Sequence, residues 1–369
     1  MIILTRSNGI YSSPRIEKYI EYFVLREIDY LVVGWDRVNS NLQREKTVYY
    51  RKKSGYNVGG FKAAIDRFKW MFFLFKILFI NRKTISVIHA FDLDTAFPAC
   101  VFKIIFKRKV IVLFDICDWF SATLNNQRKI ILCIFKLMEK FTIKHSDEVI
   151  ICEPERIEQI PYKLNRPELV VPNIPFFSDT NFLYHDNNYK FDNKKITFSY
   201  VGGFSKFRML DELLNVAEKG FINLLIAGYG NSQIEERCRR SALFDNIRYF
   251  GKVKYKDGLN IMYNSDIIYA MYSKSNPNHY YAAPNKYYEA MMLGKPILST
   301  KGISLGSKIV MNDIGYIIDE SEQALSHFLL NLDESSMTIK GANANNLWKE
   351  KFMMYTSNFL NSKYLEIIN

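Results

Sequence analysis

Short apolar runs alternate along the chain with longer stretches whose apolar positions recur every three or four residues. In the first half, the runs 2–5, 29–35, 46–50, 84–89, 109–114 and 148–152 read as buried strands. Residues 13–26, 61–81, 95–106 and 127–145 read as the helices between them. In the second half, the run 196–201 leads through a glycine pair into a helical pattern at 210–218. Strands at 223–227, 247–250 and 266–272 follow, with a helix ending near 240 between the first two, then a helix from 284 and a strand from 297. Such βα alternation over two domain lengths predicts two doubly wound parallel sheets with helices on both faces. The Asn/Asp/Lys-rich stretch 176–195 has neither period and reads as a linker. The chain is therefore expected to divide into a first domain at 1–175, a linker at 176–195, a second domain at 196–341 and a C-terminal helical stretch at 342–369.

Ligands of doubly wound sheets bind outside the carboxyl ends of the strands. In the second half those ends carry Gly202-Gly203, Gly228-Tyr229-Gly230, Gly251-Lys252-Val253 and Pro284-Asn285-Lys286. Pro284 suits the first turn of a helix, where its fixed φ helps and its missing N–H costs nothing. The free amides of Asn285 and Lys286, beside a lysine side chain, make an anion site. Glu289 lies one turn on and can accept from two neighbouring hydroxyls, and Gly294-Lys295-Pro296 stops the helix. A glycine pair after a strand lets backbone approach a phosphate, and Arg208 can add a forked contact. In the first half, Gly9, His89, Asp92 and Asp118 are the polar candidates at strand ends. Asp92-Leu93-Asp94 has a spacing that could hold a divalent metal, but the helix start, Arg208 and Lys286 supply positive charge without one, so no metal is expected.

Val201-Gly202-Gly203…Arg208, Ala227-Gly228-Tyr229-Gly230, Phe250-Gly251-Lys252-Val253, Asp266-Ile267 and Pro284-Asn285-Lys286…Glu289-Ala290-Met291…Gly294-Lys295-Pro296 occur in an order and spacing that resemble the donor half of family 4 glycosyltransferases. The resemblance covers roughly 196–320 well and the first half loosely. It implies the GT-B fold, two Rossmann-like domains facing a cleft, with the C-terminal helix crossing back to the first domain. It also implies retaining transfer of a sugar from a nucleotide-diphosphate donor to a glycan or lipid-linked acceptor in surface-polysaccharide synthesis, with no cofactor. The donor contacts it implies are Gly9, Gly202, Gly203, Arg208, Gly228, Lys252, Val253, Asn285, Lys286 and Glu289. Arg208 and Lys286 would meet the diphosphate, Glu289 the ribose, and the base would lie near 251–253. His89, Asp92 and Asp118 would face the acceptor, with Asp118, Lys286 and Arg208 in catalytic roles. Two positions depart from the family pattern: Tyr281 stands where a first Glu is common, and Gly203 where an Arg is common. The rival functions are a sugar-nucleotide epimerase on the same architecture and a non-catalytic binding or scaffold subunit.

Composition narrows the surroundings. The five cysteines are scattered, with no C-x-x-C pair and no Cys/His cluster, which argues against a zinc site or a disulfide framework and for a reducing compartment. The first residues enter a strand directly, without the pattern of a signal peptide. The net charge is +12, and residues 1–175 carry 28 Lys/Arg against 18 Asp/Glu. Within 44–144 the balance is 20 to 7, which points to an acidic partner on that half. Residues 61–81 read either as a buried helix or as an interfacial one, with Lys62, Asp66, Lys69 and Lys76 on one stripe. The apolar run there is too short for a comfortable span. No nucleic-acid-binding signature stands out, so the expectation is a cytoplasmic enzyme, peripheral on the anionic inner face of the membrane, with no nucleic-acid partner.

Overall fold

The computed structural model describes residues 1–8, 13–37, 43–54, 61–106, 109–124, 129–174 and 183–369. The chain forms two compact units, Met1–Pro172 with Thr356–Asn369, and Asn173–Tyr355. The division thus falls at Pro172, just ahead of the Asn/Asp/Lys-rich stretch, and again within the C-terminal helical region rather than before it.

The first unit holds a seven-stranded parallel sheet in the order β3-β2-β1-β4-β5-β6-β7. Its strands are β1 (Ile2–Arg6), β2 (Tyr30–Asp36), β3 (Thr47–Arg51), β4 (Val87–Phe91), β5 (Ile111–Ile116), β6 (Glu148–Ile151) and the two-residue β7 (Leu169–Val170). All five residues of β4 are buried, as a strand covered on both faces requires. Helix α1 (Pro14–Leu25) follows β1, α2 (Phe61–Ile80) precedes β4, α3 (Leu93–Phe106) joins β4 to β5, and α4 (Lys129–His145) joins β5 to β6. Ile3, Val33, Trp35, Val112 and Phe114 point from the sheet into one core with Trp70 and Leu74 of α2, Ala96 and Phe102 of α3, and Phe135 and Met138 of α4. Helix α2 is therefore a core helix along one side. Asp66 does not share the lysine stripe: it is buried and pairs with Lys52 at 3.1 Å, whereas Lys62, Lys69 and Lys76 are exposed.

The second unit holds a six-stranded parallel sheet in the order β10-β9-β8-β11-β12-β13. Its strands are β8 (Thr197–Gly203), β9 (Asn223–Tyr229), β10 (Ile247–Tyr249), β11 (Ile267–Ala270), β12 (Ile297–Thr300) and β13 (Gly315–Ile318). Among the described residues the α-helices that serve it are α5 (Leu210–Glu218), α6 (Ser232–Ser241), α7 (Tyr255–Tyr263), α8 (Asn285–Leu293), α9 (Ser304–Met311), α10 (Glu322–Leu330) and α11 (Glu334–Leu347). The order 3-2-1-4-5-6 is that of dinucleotide-binding sheets, with the topological switch between β8 and β11.

Candidate functional site

At that switch the two strand ends carry the residues the sequence singles out. Gly202 and Gly203 are the last residues of β8 and pair with Gly228 and Tyr229. The Nζ of Lys286 lies against Gly202, so close that a β-carbon built there would come within 2.7 Å of it. The same ammonium lies 4.7 Å from the centroid of the Tyr200 ring. Burial lowers its pKa to about 8; Glu289 opposes that shift and Arg208 adds to it. The Tyr200 hydroxyl donates to the Gly203 carbonyl at 2.7 Å and fixes the strand end.

Arg208 closes a short 3₁₀ turn, Lys206–Arg208, capped by the Ser205 side chain. The Ser273 amide, just beyond β11, donates to the Phe207 carbonyl at 3.0 Å, which ties this turn to the neighbouring strand. The Arg208 guanidinium carbon lies 4.0 Å over the Tyr272 ring. Its Nη1 is buried without a hydrogen-bond partner among the described residues. A buried guanidinium N–H left unpaired costs free energy unless an acceptor arrives, so this edge marks where an anion would bind.

Helix α8 starts beside these cations. Pro284 is its N-cap, with φ −74° and ψ 141°, so the expected first-turn position is corrected by one residue: Asn285 is the first helical residue. Asn285 and Lys286 thus hold the first-turn amides, which have no carbonyl to bond within the helix. Gly294 ends the helix in the left-handed region at φ 64° and ψ 34°, where glycine has no steric cost. Glu289 is buried and accepts from the Tyr255 hydroxyl at 2.7 Å. Burial raises its pKa, while Lys286 and Tyr255 act the other way. Arg208, Lys286 and Glu289 thus form one coupled group with the tyrosines Tyr200, Tyr255 and Tyr272. Those tyrosines escape a sequence reading because their spacing resembles ordinary core aromatics.

Other expected donor residues fall out differently. Gly203 has open space where a side chain would stand, whereas a β-carbon on Gly228 would lie 2.0 Å from the Gly202 carbonyl and 2.5 Å from the Phe204 ring. Strand packing by itself thus requires glycine at Gly228. Gly251 has φ +65° and open space around it. Lys252 is exposed, its ammonium 4.8 Å from the Tyr229 ring centroid, and Val253 packs against Leu225, Ala227 and Ile261. Gly9 lies outside the described residues.

In the first unit, His89 is corrected from an acceptor-side residue to a core residue. It is fully buried in mid-strand, with Nδ1 2.9 Å from the Tyr364 hydroxyl and Nε2 3.2 Å from Asp115. Asp92 sits at the end of β4 with φ 67°, unusual for a non-glycine residue. Its carboxylate accepts from the Cys117 amide at 3.0 Å and the Asp118 amide at 3.4 Å. Burial raises its pKa to about 6, against the pull of Arg6. Asp118, at the end of β5, is 61% exposed and accepts from Arg156 at 3.2 Å. Asp94 is buried and engaged by Ser7 and Arg67, each at 2.9 Å, with Arg37 at 4.0 Å. Asp92 and Asp94 therefore serve different partners. Among the described residues no three His, Cys, Asp or Glu side chains group as a metal site would need.

Residues 184–337 match the family model described as "Glycosyl transferases group 1". This segment contains every donor-side residue placed above in the second unit. No curated protein matches the chain. Among solved structures, the fold is similar along the whole chain to sucrose-phosphate synthase from Thermosynechococcus elongatus, with TM-score 0.70, 14% identity, and 99% of this chain and 98% of that chain covered. It is also similar to Alr3699/HepE from Anabaena in complex with UDP, with TM-score 0.65, 11% identity and 99% of each chain covered. A third similar structure is the lipopolysaccharide outer core galactosyltransferase WaaB in its apo form, with TM-score 0.61, 13% identity and 99% of each chain covered. The fold class is GT-B, two Rossmann-like domains.

Proposed function

We propose that this protein is a retaining glycosyltransferase that moves a hexosyl group from a nucleotide-diphosphate sugar to a glycan or lipid-linked precursor of a surface polysaccharide. It would work in the cytoplasm, on the inner face of the membrane. The observation that carries the reading is the unpaired Nη1 of Arg208, coupled to the Lys286 ammonium at the start of α8. Two cations and a helix N-terminus at one strand end suit a diphosphate, which becomes more negative as the sugar leaves. In the transfer, the bond between the anomeric carbon and the diphosphate oxygen breaks and the diphosphate keeps the electron pair. The acceptor oxygen bonds to the anomeric carbon on the same face. Its proton goes to the leaving phosphate or to a carboxylate, for which Asp118, exposed at its strand end, is the candidate. Glu289 would accept from the ribose hydroxyls, held by Tyr255. The UDP bound by the similar Anabaena protein supports a nucleotide diphosphate as the ligand class, and the similar galactosyltransferase supports a polysaccharide role.

The test is turnover of a nucleotide-sugar panel with a lipid-linked acceptor extract, in the presence of EDTA because no metal is required. Lys286→Ala and Arg208→Ala should each lower donor turnover by one to three orders of magnitude, on the order of 2–4 kcal/mol for a charge-assisted contact in a closed site. Unchanged activity in both variants refutes the assignment. Complete loss in EDTA, restored by Mg²⁺ or Mn²⁺, refutes metal independence. Donor binding without turnover favours a non-catalytic subunit.

A further inference from the structure

The outer surface of the first unit combines two chemistries that soluble proteins usually keep apart. Helix α2 turns Trp70, Met71, Leu74 and Leu78 into the core. Its opposite stripe exposes Ile65, Phe68, Phe72, Phe79 and Ile80, with Phe72 73% exposed. These positions recur at helical spacing, so they share one face. Helix α4 repeats the arrangement, with Ile130 74% exposed, Leu137 62% exposed and Ile134 between them. The Phe68 ring of α2 stacks on the Phe135 ring of α4, with centroids 6.2 Å apart, so the helices adjoin. Helix α3, mostly buried, adds Ile104 and Ile105 where its last turn surfaces.

The charges on this surface have one sign. The exposed charged side chains of α2 are Lys62, Lys69 and Lys76, and those of α4 are Lys129, Lys136, Lys140 and Lys144. The acidic residues of both helices are withdrawn: Asp66 is buried against Lys52, and Glu139 is buried and accepts from the Ser121 amide at 2.7 Å. An apolar patch with several large side chains marks an interaction surface. Its lysines decide the occupant. A second copy meeting this face across a twofold axis would set lysine against lysine. An anionic lipid surface accepts both components at once, apolar side chains below the headgroups and ammonium groups at the phosphates. No helix among the described residues is long and apolar enough to cross a membrane, so the contact lies in the plane of the interface.

We propose that the outer face of α2 and α4 docks on an anionic phospholipid surface. This rests on the reading of the enzyme as peripheral to the membrane and names the surface responsible, through side chains that the donor site does not use.

The experiment is flotation of the full chain with vesicles of phosphatidylglycerol and phosphatidylcholine, against vesicles of phosphatidylcholine alone. The protein should float with the anionic vesicles at low salt, and binding should fall at least about tenfold in 0.5 M salt. The double variant Phe72→Asp/Ile130→Asp, and separately the charge variant Lys69→Glu/Lys76→Glu/Lys136→Glu/Lys140→Glu, should each lose at least about tenfold in vesicle binding while keeping nucleotide-sugar affinity and melting temperature. Should the apolar variant fail to fold, the charge variant alone decides. Absence of wild-type binding at low salt overturns the proposal, as does flotation of the folded variants at the wild-type level. A wild-type dimer that Phe72→Asp dissolves, with no effect on vesicles, assigns the face to a second copy instead. Vesicle binding without any nucleotide-sugar turnover sinks the transferase reading and leaves this surface standing.

Discussion

Lys286 answers to two opposing demands. Burial brings its pKa down to about 8, whereas the proposed diphosphate contact requires the charged form. Nucleotide-sugar affinity should therefore be constant from about pH 6 to 7.5 and weaken as pH rises through 8, approaching about tenfold per unit. Lys286→Arg should abolish that pH dependence even if it binds more weakly, because a guanidinium stays charged. Calorimetric titration of a nucleotide sugar between pH 6 and 9.5 checks this, and an identical slope in both proteins would place the titration elsewhere. The linkage to stability has the opposite sense. Between pH 8 and about 10.5 the unfolded chain holds more protons on this lysine than the folded one, so its contribution to stability grows with rising pH. Below 8 the charged lysine costs the fold stability. Lys286→Met should thus stabilise the second unit at pH 7, on the order of 1–2 kcal/mol for a half-buried group, while weakening donor binding. Spacing in the sequence reveals Arg208, Lys286 and Glu289, because a helix start after a strand puts such residues at a sheet end. It does not reveal Tyr272 under Arg208 or Tyr255 against Glu289, since those contacts depend on how separate elements pack.

Among elements, the strand ends of β8 and β9 show why glycines read alike in sequence and differ in the fold. Gly203 faces open space, and Gly228 faces the backbone of the adjacent strand end. A phosphate and a neighbouring strand both exclude a side chain, so a one-dimensional reading cannot separate them. Gly228→Ala should cost about 3–5 kcal/mol, because its β-carbon would meet a carbonyl oxygen and an aromatic ring that cannot both move away. Gly203→Ala should leave the denaturation midpoint within about 0.5 kcal/mol of wild type, and any effect should fall on donor affinity. Equal destabilisation in urea unfolding would contradict the distinction. Helix α2 poses the same problem on a larger element. Its composition suits either a core helix or an interfacial one; the fold buries Trp70, Met71, Leu74 and Leu78 and leaves Ile65, Phe68 and Phe72 exposed, so burial of one side does not decide against an interfacial role for the other. Asp66 looked like part of the polar stripe because it shares the helical period, and only its pairing with Lys52 takes it out of water.

For the whole molecule, the chain passes between its two units at Pro172 and again at Tyr355. Within the first unit both passages meet one buried polar cluster. Arg15 of α1 donates to Asp115 at 2.8 Å and to the Val171 carbonyl at 2.8 Å, and Lys18 donates to the Pro172 carbonyl at 2.9 Å. Burial pushes the Asp115 carboxyl up, but Arg15 and His89 more than offset it and hold the group below its usual range. His89 continues the cluster to Tyr364 of the returning segment, whose ring lies 4.9 Å from Tyr19 and 6.1 Å from Phe23. Leu360, Tyr364 and Ile367 are all buried in this unit. Sequence pattern anticipates a C-terminal helical stretch but not this contact, because the partners of Tyr364 lie hundreds of residues away. Tyr364→Ala should cost the first unit about 3–5 kcal/mol, combining lost aromatic burial with an unpaired His89 nitrogen. Tyr364→Phe, which keeps the ring, should cost only about 1 kcal/mol more than the loss of one hydrogen bond allows at its weakest, roughly 1–2 kcal/mol in all. Calorimetry resolves where the loss falls: a nucleotide sugar should raise the transition of the second unit in every variant, while Tyr364→Ala lowers the other transition alone. A single transition that shifts as one in both experiments would mean that the two units unfold together, and that the C-terminal segment stabilises the whole chain rather than the sheet it packs on.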